Sequence, residues 1–151
     1  MHYSDGIIPY KFDKNGVLKF FLGHPGGPSN SRKDCWMLLK GGRQGNETPL
    51  ECAIREFQEE SGTILDKEDI EKLWLVGTVS QRKDKKVTAY AFEVDDIDCT
   101  RCFSNLVDNE KFPEMDRYAW LTIDEVRKKT IRTNVWFYEE IIRKLGIVEC
   151  E

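Results

Sequence analysis

The sequence predicts an α/β protein of the α+β type, with a mixed β-sheet between layers of helices. Segments typical of strands alternate with segments typical of helices along the 151 residues, and no internal repeat or linker divides them. The chain is 40% hydrophobic and 33% charged, which excludes disorder and is enough to bury a core at this length. We therefore expect a single domain over residues 1–151.

Strands are predicted at residues 6–12, 17–24, 35–39, 72–80, 86–94 and 116–122. The first two flank the dipeptide Asn15-Gly16, which is a strong signal for a tight hairpin turn. The fourth and fifth flank the polar residues 81–85. We expect these two pairs to form hairpins, one at each end of the sheet.

The best-marked helix is predicted to begin after Thr48 and to end at Gly62. Thr48 is a good N-cap, Pro49 suits the first helical position, and Glu51 completes a capping box with Thr48. An apolar stripe at helical spacing predicts the face that packs on the core, and it contains Leu50, Ala53, Ile54 and Phe57. Two further helices are predicted, one after Thr122, where Glu125 offers a second capping box, and one at about 134–145.

Charge and composition exclude several classes of protein. The formal net charge of −4 argues against a broad binding surface for polymeric nucleic acid, although a small anionic substrate could bind through a metal. No basic segment followed by an apolar run begins the sequence, and no apolar run is long enough for a membrane span. Five cysteines, irregularly spaced, are typical of reduced thiols. We expect a cytoplasmic monomer or homodimer without a membrane contact.

Cys99 and Cys102 form an isolated C-x-x-C pair. A structural zinc site needs four ligands, and the two histidines, His2 and His24, lie far away in the sequence. We interpret the pair as incidental loop cysteines, with a zinc or redox function as the alternative.

Three carboxylates lie close together on the best-marked helix, at Glu56, Glu59 and Glu60. The spacing i, i+3 and i+4 brings like charges together, which costs a few tenths of a kcal/mol per pair. Their arc is centred about 120° from the apolar stripe, and the side chains of Glu59 and Glu60 are expected to face solvent. Either this face is merely solvated, or it binds a hard divalent cation such as Mg²⁺, which prefers carboxylate oxygens.

The same carboxylates belong to a longer pattern that resembles the Nudix box of the Nudix hydrolases. In this chain the pattern is Gly41-x5-Glu47-x7-Arg55-Glu56-Phe57-x-Glu59-Glu60-x-Gly62. The last position of the box usually holds an aliphatic residue and here is Thr63. Together with residues 24–28, 36–41 and 112–120, the pattern is similar to a bacterial branch known as predicted NTP pyrophosphohydrolases.

The resemblance implies a Nudix-type α/β/α sandwich with a mixed sheet and a metal-dependent pyrophosphohydrolase. It implies Mg²⁺ or Mn²⁺ bound by the carboxylates of Glu56, Glu59 and Glu60 and by the carbonyl of Lys40, with Glu56 also orienting or deprotonating the attacking water. It implies that Arg55 and Glu47 hold the loop and helix together. The expected catalytic residues are Glu56, Glu59, Arg55 and Glu114, and the expected structural residues are Gly41, Glu47, Arg55 and Gly62.

Glu114 is the candidate for an additional ligand or base from outside the box. It precedes Trp120 by six residues, and a similar placement supplies such a residue in some Nudix pyrophosphohydrolases. The alternative is a plain loop acid. Glu110 and Glu93 are weaker candidates for the same role.

The expected substrate is a nucleoside diphosphate joined to another group, in the first place an NTP or a dinucleoside polyphosphate. The alternatives are ADP-ribose or a nucleotide sugar and, from another class, a non-catalytic module that senses a nucleotide. No tyrosine lies at positions 79–81, where the diadenosine polyphosphate hydrolases tend to carry one.

The charged residues 82–86 are interpreted as a solvated hairpin tip, with steering of polyphosphate substrates as the alternative. Residues 24–28 are interpreted as a turn that closes a strand, with a loop over the nucleotide as the alternative.

Overall fold

The computed structural model describes residues 1–106 and 112–148. Six strands are formed by His2–Phe12 (β1), Leu18–Pro25 (β2), Leu39–Gly42 (β3), Trp74–Arg82 (β4), Lys85–Glu93 (β5) and Met115–Leu121 (β6). Four α-helices are formed by Pro49–Ser61 (α1), Lys67–Lys72 (α2), Ile123–Lys129 (α3) and Arg132–Leu145 (α4). None of the helices in these two ranges is long and apolar enough to cross a membrane.

The six strands form one mixed sheet, which confirms the predicted fold class. Its order is β4-β5-β1-β2-β6, and β3 pairs with β1 beside that path. β1 and β5 are parallel, whereas the other pairs are antiparallel. On one side, β1 pairs first with β3, over Ser4–Ile7, and then with β2, over Tyr10–Phe12.

The prediction that both hairpins lie at the ends of the sheet is wrong for the first one. The β4–β5 hairpin does lie at an edge, but the β1–β2 hairpin lies in the middle. The reason is a long-range pairing, because β5 returns to lie parallel beside β1 and β6 adds beyond β2. Strands this far apart in sequence leave no local signal of their order.

Two hydrophobic clusters cover the faces of the sheet. On one face α3 and α4 pack against strand residues, as in the edge-to-face contact of Phe20 with Tyr138 at 5.0 Å between ring centroids. On the other face Ala53 and Phe57 of α1 pack against Phe21 and other buried side chains. The sheet therefore lies between two helical layers. The apolar stripe of α1 holds this helix against one face of the sheet.

Helix α1 begins and ends where the sequence predicts. The Thr48 hydroxyl accepts a hydrogen bond from the Glu51 amide at 3.1 Å, and the Glu51 carboxylate accepts one from the Thr48 amide at 2.9 Å. Gly62 ends the helix with φ of 72°, a left-handed conformation that glycine adopts without strain. The capping box at Thr122 and Glu125 is also confirmed.

Two local predictions differ from the structure. The strand predicted at 35–39 begins only at Leu39, because the Trp36 amide bonds to the Lys129 carbonyl at 2.8 Å and directs this segment across the end of α3. Helix α2 was not predicted, since its six residues show no apolar stripe. It is marked instead by a capping box between Asp66 and Asp69.

Candidate active site and metal centre

Three carboxylates meet at the end of α1. Oxygen atoms of Glu56, Glu60 and Glu114 all lie within 4.8 Å of one another. Glu56 and Glu60 are one helical turn apart and therefore share a face. The backbone of Glu114 is fixed on both sides, since its amide bonds to the Asn105 carbonyl at 3.0 Å and its carbonyl accepts from the Gly26 amide at 2.7 Å. We call Glu56, Glu60 and Glu114 the carboxylate cluster.

The expectation that Glu60 faces solvent is wrong. Glu60 is 1% exposed, and Glu56 is 8% exposed. The segment after the 3-10 turn at Cys99–Arg101 covers this end of the helix, and the Asn105 amide bonds to the Glu59 carbonyl at 2.9 Å. From β6, the Tyr118 hydroxyl donates to the Glu60 carbonyl. Glu59 stays exposed and is not one of the three clustered carboxylates.

The electrostatics of the cluster favour a bound cation. Burial raises the pKa of Glu60 well above its usual value, and the neighbouring Glu114 carboxylate raises it further. Burial also raises the pKa of Glu56. Among the described residues, Glu60 Oε2 is buried with no hydrogen-bond partner. Such a group is costly unless an opposite charge offsets it, and a hard divalent cation with carboxylate ligands would do so.

The end of β3 approaches the cluster closely because Gly41 has no side chain. A Cβ atom on Gly41 would lie 2.1 Å from the carboxyl carbon of Glu56, so no larger residue fits there without movement. Lys40, the residue before it, lines a cavity of about 310 Å³ together with Glu60 and Glu114. Strand β3 therefore brings the Lys40–Gly41 backbone beside the cluster.

Arg55 connects the loop, the helix and the cluster. It binds Glu47 through two hydrogen bonds, of 2.7 Å from Nε and 2.9 Å from Nη2. Its Nη1 donates to Glu56 Oε1 at 2.8 Å and to Glu59 Oε2 at 3.2 Å, and its Nη2 donates to the Gly42 carbonyl at 3.0 Å. The guanidinium holds the pKa of Glu47 down at about 2. One cation thereby fixes the orientation of Glu56.

His24 shows what residues 24–28 do in the fold. Its ring is fully buried and contacts the Asp116 carboxylate through Nδ1 at 2.8 Å and the Lys33 carbonyl through Nε2 at 2.5 Å. This histidine closes the end of β2, whereas Gly26 and Asn30 after it line the cavity of the cluster. Sequence reasoning missed the His24–Asp116 contact, because the two residues are 92 positions apart.

The remaining candidates lie elsewhere. Cys99 and Cys102 belong to no group of three metal-ligating side chains within the two described ranges, and burial raises the pKa of both thiols. Glu93 lines a separate cavity with Asp95 and Asp96. Glu110 lies outside the described residues.

Comparisons with known proteins agree with this fold. The NUDIX domain family matches residues 9–145. An Ap4A hydrolase of C. elegans, solved as a binary complex, superposes with a TM-score of 0.67 at 17% identity over 97% of this chain and 98% of that chain. The NUDIX domain of Shewanella oneidensis NrtR, solved with ADP ribose, gives 0.68 at 12% identity over 95% and 87%.

A third solved structure, the Nudix hydrolase RenU of M. smegmatis, gives a TM-score of 0.65 at 18% identity over 99% of this chain and 89% of that chain. A search of curated proteins gave no match. Since the family match covers most of the chain, the fold and the box define a Nudix protein. The chain belongs to the NUDIX family of pyrophosphohydrolases.

Proposed function

We propose that this Nudix hydrolase cleaves the pyrophosphate link of a nucleoside diphosphate joined to another group, with Mg²⁺ or Mn²⁺ as cofactor. The observation that carries the proposal is the carboxylate cluster, in which a buried oxygen of Glu60 has no partner among the described residues. The ligands would be Glu56, Glu59 and Glu60 with the Lys40 carbonyl, and Glu59 would join from the exposed side of the helix.

The bound metal would supply Lewis-acid stabilisation of charge on the phosphate oxygens. The protein residues then have separate tasks. Glu56 Oε1 is held by Arg55, which leaves Oε2 to orient the attacking water and to accept its proton. Glu114, whose carboxylate belongs to the same cluster, would act as an additional ligand or base. Without the metal, burial raises the pKa of Glu56 above its usual value.

The proposed substrate is a small nucleotide, an NTP or a dinucleoside polyphosphate, and this agrees with a cytoplasmic monomer or homodimer that binds no polymeric nucleic acid. The Ap4A hydrolase fold match is in line with this choice. ADP-ribose or a nucleotide sugar is the second candidate, and the ADP ribose in the NrtR complex favours it. A non-catalytic nucleotide sensor is a less favoured alternative, because the chain keeps every carboxylate of the box.

The test is a phosphate-release assay over NTPs, dinucleoside polyphosphates, ADP-ribose and nucleotide sugars, with Mg²⁺ and with Mn²⁺. We expect turnover that requires the metal and is lost in Glu60→Gln but kept in Glu68→Gln, a control on the exposed side of α2. A flat response over the whole panel, with nucleotide binding intact, would favour the sensor instead.

A further inference from the structure

A second cavity lies where β3 ends and the box loop begins. It has a volume of about 430 Å³, and its lining includes His2, Tyr3, Gly42, Arg43, Arg82 and Lys85. None of the described residues that line it is acidic. We call it the basic pocket.

Two lysines connect the basic pocket with the carboxylate cluster. Lys85 lines the pocket, whereas Lys40 lines the cavity of the cluster. The two side chains are close enough to interact with each other. Within residues 1–106 and 112–148, neither ammonium has a carboxylate at ion-pair distance. The Glu60 and Glu114 carboxylates attract the Lys40 ammonium, whereas the two lysine cations repel each other, and an anion between them would relieve that repulsion.

Both arginines of the pocket are already paired. Arg43 donates to both oxygens of the fully buried Asp5, at 2.7 and 3.0 Å, and lies 4.6 Å above the Tyr3 ring. Arg82 donates to Asp84 at 3.0 Å. Arg43 therefore forms one wall, whereas Lys85, among the described residues, has no carboxylate at ion-pair distance and can bind an anion.

The spacing separates this pocket from the cluster. Gly42 follows Lys40 by two residues on β3, which corresponds to roughly 7 Å at the usual rise of a strand. A phosphate at the Gly42 end of the strand would thus be distinct from one bound at the cluster. Both would be reached by one chain of linked phosphates that passes Lys40 and Lys85.

We propose that the basic pocket binds phosphate groups of the substrate beyond the link that is cleaved, with Lys85 as the residue that selects long phosphate chains. The proposal rests on the proposed function for the place of cleavage. It assigns the substrate to the dinucleoside polyphosphates rather than to ADP-ribose or nucleotide sugars, whose two phosphates would be engaged at the cluster. It also gives Lys85 a different role from the other charged residues in 82–86. Lys85 would bind a phosphate directly, whereas the others would act through long-range attraction alone.

The experiment compares Lys85→Gln with Lys86→Gln in the full chain. Both variants remove one positive charge from adjacent residues of β5, but Lys86 does not line the pocket. With Mg²⁺ present, Lys85→Gln should raise KM for a dinucleoside tetraphosphate about tenfold, as expected when one charged hydrogen bond is lost. It should leave kcat and the kinetics with ADP-ribose unchanged, and Lys86→Gln should behave like wild type.

A second measurement does not depend on turnover. Inorganic tripolyphosphate, without divalent metal, should bind wild type and Lys86→Gln but bind Lys85→Gln about tenfold more weakly, as seen by calorimetry. If no substrate is hydrolysed, the proposed function fails and this binding assay still decides on the pocket. Equal losses in both lysine variants would show steering only. Equal tripolyphosphate affinity in all three proteins would overturn the proposal.

Discussion

A Cβ atom on Gly41 would lie 2.1 Å from the carboxyl carbon of Glu56, and 2.2 and 2.5 Å from its two oxygens. The backbone at the end of β3 thus passes directly against a carboxylate of the candidate metal centre. This contact leaves Glu56 one position, between the Gly41 backbone on one side and the Arg55 guanidinium on the other.

The first prediction follows from this contact. Gly41→Ala should displace the Glu56 carboxylate and lower kcat about a hundredfold, since a misplacement of about 1 Å has effects of this size. It should also weaken the metal-induced rise in melting temperature. Gly42→Ala is the matched control for that rise, because nothing lies within 4 Å of the Cβ position at Gly42. An active Gly41→Ala enzyme with a normal metal response would contradict the role of this contact.

The second prediction concerns Arg55, which we expect to act by positioning Glu56. Arg55→Ala should lower kcat at least tenfold, with little change in KM, and should destabilise the protein by about 2 kcal/mol because several charged hydrogen bonds are lost. Chemical denaturation and steady-state kinetics measure the two effects. Arg143→Ala removes an exposed arginine paired with Glu140 and should change neither.

The position of the box helix could be predicted from the sequence because its signals are local. The caps at Thr48 and Gly62 and the apolar residues Ala53 and Phe57 all lie within the segment that they define. The burial of Glu60 could not be predicted in this way. The helical wheel gives the direction of a side chain, but residue 105 and Tyr118, which cover this end of the helix, come from distant parts of the chain.

The two cavities differ in how far the sequence could predict them, again because one of them depends on contacts between distant parts of the chain. Glu114 was a candidate ligand because of its distance from Trp120, and the structure brings it to Glu56 and Glu60. The basic pocket had no comparable signal. It forms only because β5 returns beside β1 and places Lys85 opposite His2, a pairing that no local pattern indicates.

The third prediction tests the thiol alternative. Burial raises the pKa of Cys52 to about 12 and that of Cys99 to about 11. At pH 7 only about one Cys99 in 10⁴ would be a thiolate, so alkylation should be about a hundredfold slower than for a free cysteine. Mass spectrometry after brief iodoacetamide treatment should find both residues unmodified and the hydrolase fully active. Rapid modification of Cys99 with loss of activity would support a catalytic thiol.

The last prediction joins pH, metal and stability at Glu60. A carboxyl whose pKa is raised by folding stabilises the protein in its protonated form. This contribution is fully present below the usual pKa of 4.5 and is lost as the pH rises through the raised pKa of the folded state. The melting temperature of the metal-free protein should therefore fall over this window. Glu60→Gln should abolish that part of the fall and melt higher than wild type at neutral pH.

With Mg²⁺ or Mn²⁺ at ten times Kd, wild type should gain about 1.4 kcal/mol, a few degrees in melting temperature, whereas Glu60→Gln should gain much less. Glu68→Gln serves as the control, because its carboxylate is exposed on α2. If wild type and Glu60→Gln show the same pH profile and the same response to metal, Glu60 is not a ligand and the carboxylate cluster does not bind the cation.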